Sequence, residues 1–106
     1  MSKKVARIPV VMKFDKRIGV DEKKLLIPET NTVAIIMQRV RERYIQSKVN
    51  AATAIFLFFS AGDDQRMFPV NSPMGEIRNA LGNPTLIQID VAMEHTFGYN
   101  QMTSLG

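Results

Sequence analysis

The sequence contains no cysteine and a single histidine, His95, in 106 residues. The missing thiols exclude a disulfide scaffold, a thiolate zinc site and a cysteine nucleophile, and they suit a reducing compartment such as the cytosol. One imidazole excludes a histidine-based metal cluster. No stretch approaches the roughly 20 apolar residues needed to cross a bilayer. The basic start, Met1-Ser2-Lys3-Lys4, is not followed by the apolar core of a signal peptide. The chain is therefore expected to begin as a soluble protein, with any membrane attachment added later. No glycine-rich phosphate loop is present, since the glycines at 19, 62, 75 and 82 stand apart. Asp63-Asp64 reads as a solvated turn and lacks the oxygen set of a calcium site. Ser72 has no base nearby in sequence and reads as a helix cap. Pro84 blocks glycosylation at Asn83. No cofactor, no metal and no enzymatic activity are expected.

What is present is a hydrophobic content of 45% and a net charge of +4, with a pI near 9.7. The length fits one domain with a packed core. Eight of the basic residues precede position 25: Lys3, Lys4, Arg7, Lys13, Lys16, Arg17, Lys23 and Lys24. That asymmetry suits an acidic partner, or simply a solvated basic surface. Arg39, Arg41 and Arg43 could meet phosphates, but most phenylalanines fall in one buried-looking run, which leaves no aromatic platform for single-stranded nucleic acid.

Hydrophobic periodicity predicts the elements. Val5 to Phe14 reads as a strand, with Pro9 near its start. A polar turn at Asp15–Gly19 leads to a second strand, Lys23 to Ile27, stopped by Pro28, so the two form an antiparallel hairpin. Thr32 precedes a run in which Val33, Ile36, Met37, Val40 and Tyr44 share one helical stripe, with Arg39, Glu42 and Arg43 off it in water; the helix fades near Ser47. Ala54 to Phe59 is a continuous apolar run, read as a strand covered on much of both faces. A loop over Ser60–Asp64 follows. Ser72-Pro73 opens a short helix with Met74, Ile77 and Leu81 inward and Gly82 at its end. Leu86 to Val91 is the last strand, with Ile87, Ile89 and Val91 on one face.

The order strand, strand, helix, strand, short helix, strand predicts an α+β, ubiquitin-like β-grasp fold: a four-stranded mixed sheet covered by one long helix plus a short helix. Residues 1–98 are read as a single domain with a flexible tail from about residue 92, and residues 99–106 as an extension removed by processing.

The blocks Arg7-Ile8-Pro9-Val10, Lys24-Leu25-Leu26-Ile27-Pro28, Thr32-Val33, Arg41-Glu42-Arg43, Ala54-Ile55-Phe56-Leu57-Phe58 and Glu94-His95-Thr96-Phe97-Gly98 fall in this order along the chain. Together they resemble the autophagy ubiquitin-like modifiers of the microtubule-associated light chain 3/GABARAP type, whose terminal signature is Glu-Asn-Thr-Phe-Gly. Six residues precede Arg7, where that family carries two N-terminal helices, so the match is to a divergent or N-terminally shortened member. Asn31 and Arg39 stand where the family usually has apolar residues, and Leu25 replaces an aromatic.

The resemblance implies that a cysteine protease cuts after Gly98, with Phe97 and Gly98 as its recognition residues. Activating and conjugating enzymes would then carry the Gly98 carboxylate, through a thioester, to an amide with phosphatidylethanolamine. A residue without Cβ can thread a narrow active-site channel. It also implies capture of receptors bearing short hydrophobic motifs. Pro9, Lys24, Leu26 and Leu86 match the first pocket, Leu25, Ile27, Pro28 and Ile36 the second, and Arg41 a basic position that pairs an acidic flank. The implied locations are the cytoplasm and, after lipidation, the autophagosome membrane. Two other readings stay open. One is a protein-conjugated, twelve-type autophagy modifier. The other is an unconjugated basic module for tubulin, acidic lipid or nucleic acid. Gly106 is a second candidate for the reactive glycine.

Overall fold

The computed structural model describes residues 5–45 and 54–93. Five strands form one sheet in the order β2-β1-β5-β3-β4. They are β1 (Arg7–Phe14), β2 (Lys23–Pro28), β3 (Ile55–Ala61), β4 (Asp64–Arg66) and β5 (Ile87–Met93), and two helices, α1 (Val33–Val40) and α2 (Met74–Ala80), complete the set. β1 pairs antiparallel with β2 and parallel with β5, and β3 runs antiparallel to both β5 and β4.

The alternation in β1 does what a period of two requires. Ile8, Val10 and Met12 are buried while Pro9 and Lys13 are exposed. Ile55, Leu57 and Phe59 of β3 and Ile87, Ile89 and Val91 of β5 continue the buried layer across the sheet. In β3 the reading of cover on both faces is half met: Phe56 and Phe58 are only half-buried. The core lies between this layer and the helices, which contribute Val33, Ile36, Val40, Met74, Ile77 and Leu81.

Thr32 caps α1. Its side-chain oxygen accepts the Ile35 N–H at 3.3 Å, a contact whose loss costs about 1 kcal/mol in comparable helices. From Arg41 to Ile45 the helix widens into a π turn. At α-helical spacing Ile45 would fall well off the stripe of Val33, Ile36 and Val40. The wider turn slows the rotation per residue, and Ile45 becomes fully buried while Tyr44 still packs against the core. The predicted fading near Ser47 lies outside the described residues.

Two expectations need correction. The sheet has five strands, not four, because the segment read as loop closes a short hairpin. Gly62 (φ +62°) and Asp63 form a two-residue turn, so that Ala61 pairs with Asp64. All three β4 side chains are exposed, so no hydrophobic alternation marks the strand in the sequence. It is pinned by Arg66, which bonds both oxygens of Asp64 and donates to the Ala80 carbonyl at 2.9 Å. The second correction concerns α2, which begins one residue later than expected. Pro73 is its N-cap and makes no side-chain capping bond. The Ser72 carbonyl instead accepts the Val33 N–H at 3.0 Å, which ties the two helix starts together. At the other end Gly82 (φ +88°) permits paired closing bonds, Gly82 N–H to Asn79 and Asn83 N–H to Arg78.

Candidate functional site

β2 is an edge strand: β1 occupies one side of it and no described strand occupies the other. Pro9 lies opposite Leu26 and has no N–H, so that pair belongs to the non-hydrogen-bonded class of the antiparallel ladder. The Glu29 N–H bonds the Ala6 carbonyl at 2.9 Å, which fixes the same alternation from the end of the strand. Leu25 and Ile27 therefore spend their backbone groups on β1. Lys24 and Leu26 direct N–H and C=O outward, and Pro28 offers only its carbonyl.

Side chains follow the same alternation. Leu25 and Ile27 turn toward α1, with Ile27 buried and Leu25 packed on the core. Lys24 and Leu26 stand on the open face of the sheet, and Leu26 is 60% exposed. A groove thus flanks the edge on each side. On the open face, Pro9, Val11, Lys24 and Leu26 line a shallow depression with Leu86. Between β2 and α1 lies a cavity of about 120 Å³. Its β2 wall is Leu25, Leu26, Ile27 and Pro28, with Met12 and Asn31 adjoining, and its helix wall is Ile36, Arg39, Val40, Arg43 and Tyr44.

These two grooves gather the predicted residues as two groups. Pro9, Lys24, Leu26 and Leu86 meet in the first, and Leu25, Ile27, Pro28 and Ile36 in the second. Arg41 is half-buried and is not among the lining residues of either. The cations at the second groove are Arg39 and Arg43, one helical turn apart, and sequence reading had set them in water. Both statements hold, since the two are exposed yet overhang the groove. Their i, i+4 spacing was visible, but which strand lies across from them was not. Tyr44 closes one end. Its ring meets Phe14 edge to face at 5.6 Å, and Lys23 Nζ stands 5.8 Å from its centroid.

Phe97 and Gly98 lie outside the described residues, as does Gly106. Among the described residues no group of three or more histidine, cysteine, aspartate or glutamate side chains is placed to hold a metal, and no helix is long and apolar enough to cross a membrane.

The strand order and the two helices define a ubiquitin-like α+β fold. Among solved structures the chain is similar to the crystal structure of Trypanosoma brucei ATG8, with a TM-score of 0.59 and 21% identity over 83% of this chain and 73% of that one. At that identity the likeness is one of fold. No family model and no curated protein matches the sequence.

Proposed function

We propose that this chain is an autophagy ubiquitin-like modifier, conjugated through Gly98 to phosphatidylethanolamine and capturing short hydrophobic motifs by strand addition at β2. The observation that carries the reading is the β2 edge, unpaired among the described strands, with a groove on each side. Main-chain groups at Lys24 and Leu26 supply affinity without regard to sequence, and the grooves select side chains on opposite faces of the added strand. Two apolar anchors separated by an odd number of positions reach both grooves, because successive side chains alternate. The ubiquitin-like fold and its likeness to the ATG8 structure support the same reading.

The chain is the substrate of the conjugation chemistry and contributes no catalytic residue to it. A cysteine protease hydrolyses the bond between Gly98 and Tyr99, with Phe97 as its apolar anchor. The freed carboxylate is adenylated by ATP with release of pyrophosphate. An enzyme thiolate displaces AMP to give a thioester, and the lipid amine displaces the thiol to leave an amide. The protein is cytoplasmic before this step and on the autophagosome membrane after it. The proposed partners are the protease, the activating and conjugating enzymes, and receptors with hydrophobic motifs. In cells, Gly98→Ala is expected to abolish punctate membrane localisation, and a variant that localises normally refutes conjugation at this residue.

A further inference from the structure

The sheet has a second edge. β4 lies beside β3 only from Phe59 to Ala61, so no described strand flanks Ile55–Phe58 on that side. The ladder tells which backbone groups point there. Gly62 and Asp63 close a two-residue hairpin, so Ala61 and, two residues back, Phe59 bond across to β4. Leu57 and Ile55 continue that alternation outward. The opposite side of β3 agrees. Val91 of β5 lies across from Leu57, and its carbonyl accepts the Asp15 N–H at 2.8 Å. Leu57 and Ile55 therefore present N–H and C=O to the edge, and among the described residues neither has a hydrogen-bond partner on that side.

Both faces of this stretch are apolar. Ile55 and Leu57 are buried in the core, while Phe56 and Phe58 stand half-buried on the open face of the sheet. From Ala54 to Phe58 no side chain is charged or polar. The β2 edge differs. Lys23 and Lys24 put one ammonium on each of its faces, which opposes pairing with a second copy of the same strand. The β3 edge carries no such guard and is complementary to itself.

We infer that two copies of this chain join at β3, antiparallel about a two-fold axis through Phe56, so that their sheets become one continuous sheet. Ile55 of each copy then lies opposite Leu57 of the other, and each such pair exchanges two N–H···O=C bonds. Phe56 meets its own counterpart in a non-hydrogen-bonded pair, with Cα atoms about 4.5 Å apart, close enough for aromatic side chains to pack across the strands. The seam runs from Ala54 to Phe58, because at Phe59 each copy's own β4 takes the place that a partner strand would fill. So short a seam buries far less than the roughly 800 Å² per partner of a standard interface. The dimer is therefore weak, with a dissociation constant on the order of 0.1–1 mM.

Phe56→Lys and Phe56→Glu test the seam in the full chain, since each sets a charge on the axis beside its own counterpart at a half-buried position. Sedimentation equilibrium of the unaltered protein is expected to show a concentration-dependent dimer as loading approaches about 1 mM. Each variant alone is expected to self-associate at least about tenfold more weakly, and an equimolar mixture of the two is expected to regain the dimer, lysine against glutamate. A fold merely weakened by the substitution is not restored by mixing. Isotope-filtered NOEs between Phe56 of a labelled copy and Phe56 of an unlabelled copy read the same contact in the unaltered protein, and they decide the matter where a variant does not fold. A protein that stays monomeric at about 1 mM, a dimer that survives either charge, folded variants that stay monomeric when mixed, or intermolecular NOEs that map elsewhere each overturn the inference.

Discussion

Pro9 stands directly opposite Leu26 in the β1–β2 ladder, and this pairing decides which backbone groups of β2 face the open edge. Because Pro9 cannot donate, Leu26 is not bonded across to β1 and its N–H and carbonyl point away from the sheet. A proline at position 26 would remove that outward N–H without breaking a ladder bond. Leu26→Pro is expected to change unfolding free energy by no more than about 1 kcal/mol, since the side chain is largely exposed and proline is tolerated at sheet edges. Peptide binding at β2 is expected to weaken at least about tenfold. Urea denaturation and peptide titration of the same sample check both halves. Unchanged binding in a folded variant argues against strand addition.

Two glycines, Gly75 in the first turn of α2 and Gly82 just past its end, should respond in opposite directions. Gly82 has φ +88° with open space around its missing Cβ, so Gly82→Ala incurs backbone strain alone, about 1 kcal/mol of destabilisation. Gly75 lies inside the helix, and a Cβ there would meet Glu29 no closer than 3.5 Å, an ordinary contact. Its N–H bond to the Glu29 carbonyl is untouched by the change. Gly75→Ala is therefore expected to stabilise by about 0.5–1 kcal/mol. Urea midpoints moving the same way for both variants would contradict these conformations.

The first turn supplies a pH dependence. Arg17 donates to Asp15 from both its backbone N–H and its guanidinium, and this holds the carboxyl down at about 2, against 3.8 for a free aspartate. A depressed carboxylate stabilises the fold above its unfolded value, and the contribution fades as pH falls from about 4 to about 2. Allowing for solvent screening, Asp15→Asn is expected to cost about 0.5–1 kcal/mol at pH 7. The two proteins should converge in stability near pH 2. Thermal unfolding at pH 7, 4 and 2 reads the difference, and a gap that persists at pH 2 assigns the effect to something other than the ionised pair.

Much of the architecture was readable because it rests on periodicity. The alternation of Ile8, Val10 and Met12, the Val33–Ile36–Val40 stripe capped by Thr32, and the Ile87–Ile89–Val91 face each carry a burial pattern in their spacing. β4 carries none: Asp64, Gln65 and Arg66 are held by backbone pairing, one guanidinium and a hydrogen bond from the Gln65 amide to Asp90, and none of these leaves a hydrophobic trace. The start of α2 was displaced because the Ser72 carbonyl bonds the start of α1, a long-range contact invisible to local capping rules. The π turn follows from burying Ile45, which helical spacing alone assigns to the wrong side. At the candidate site, the family resemblance pointed to the two groups around Pro9 and Ile27. The cations over the second groove were legible as a helical pair, but that β2 lies across from them is supplied only by the tertiary arrangement.

The proposed conjugation requires that Gly98 become an acyl donor once the residues after it are removed. Intact mass spectrometry of the full chain, before and after incubation with the pathway's cysteine protease, tests it most directly. The expected result is a single product lacking Tyr99–Gly106 and ending at Gly98. An unchanged mass, or a product ending anywhere else, contradicts it.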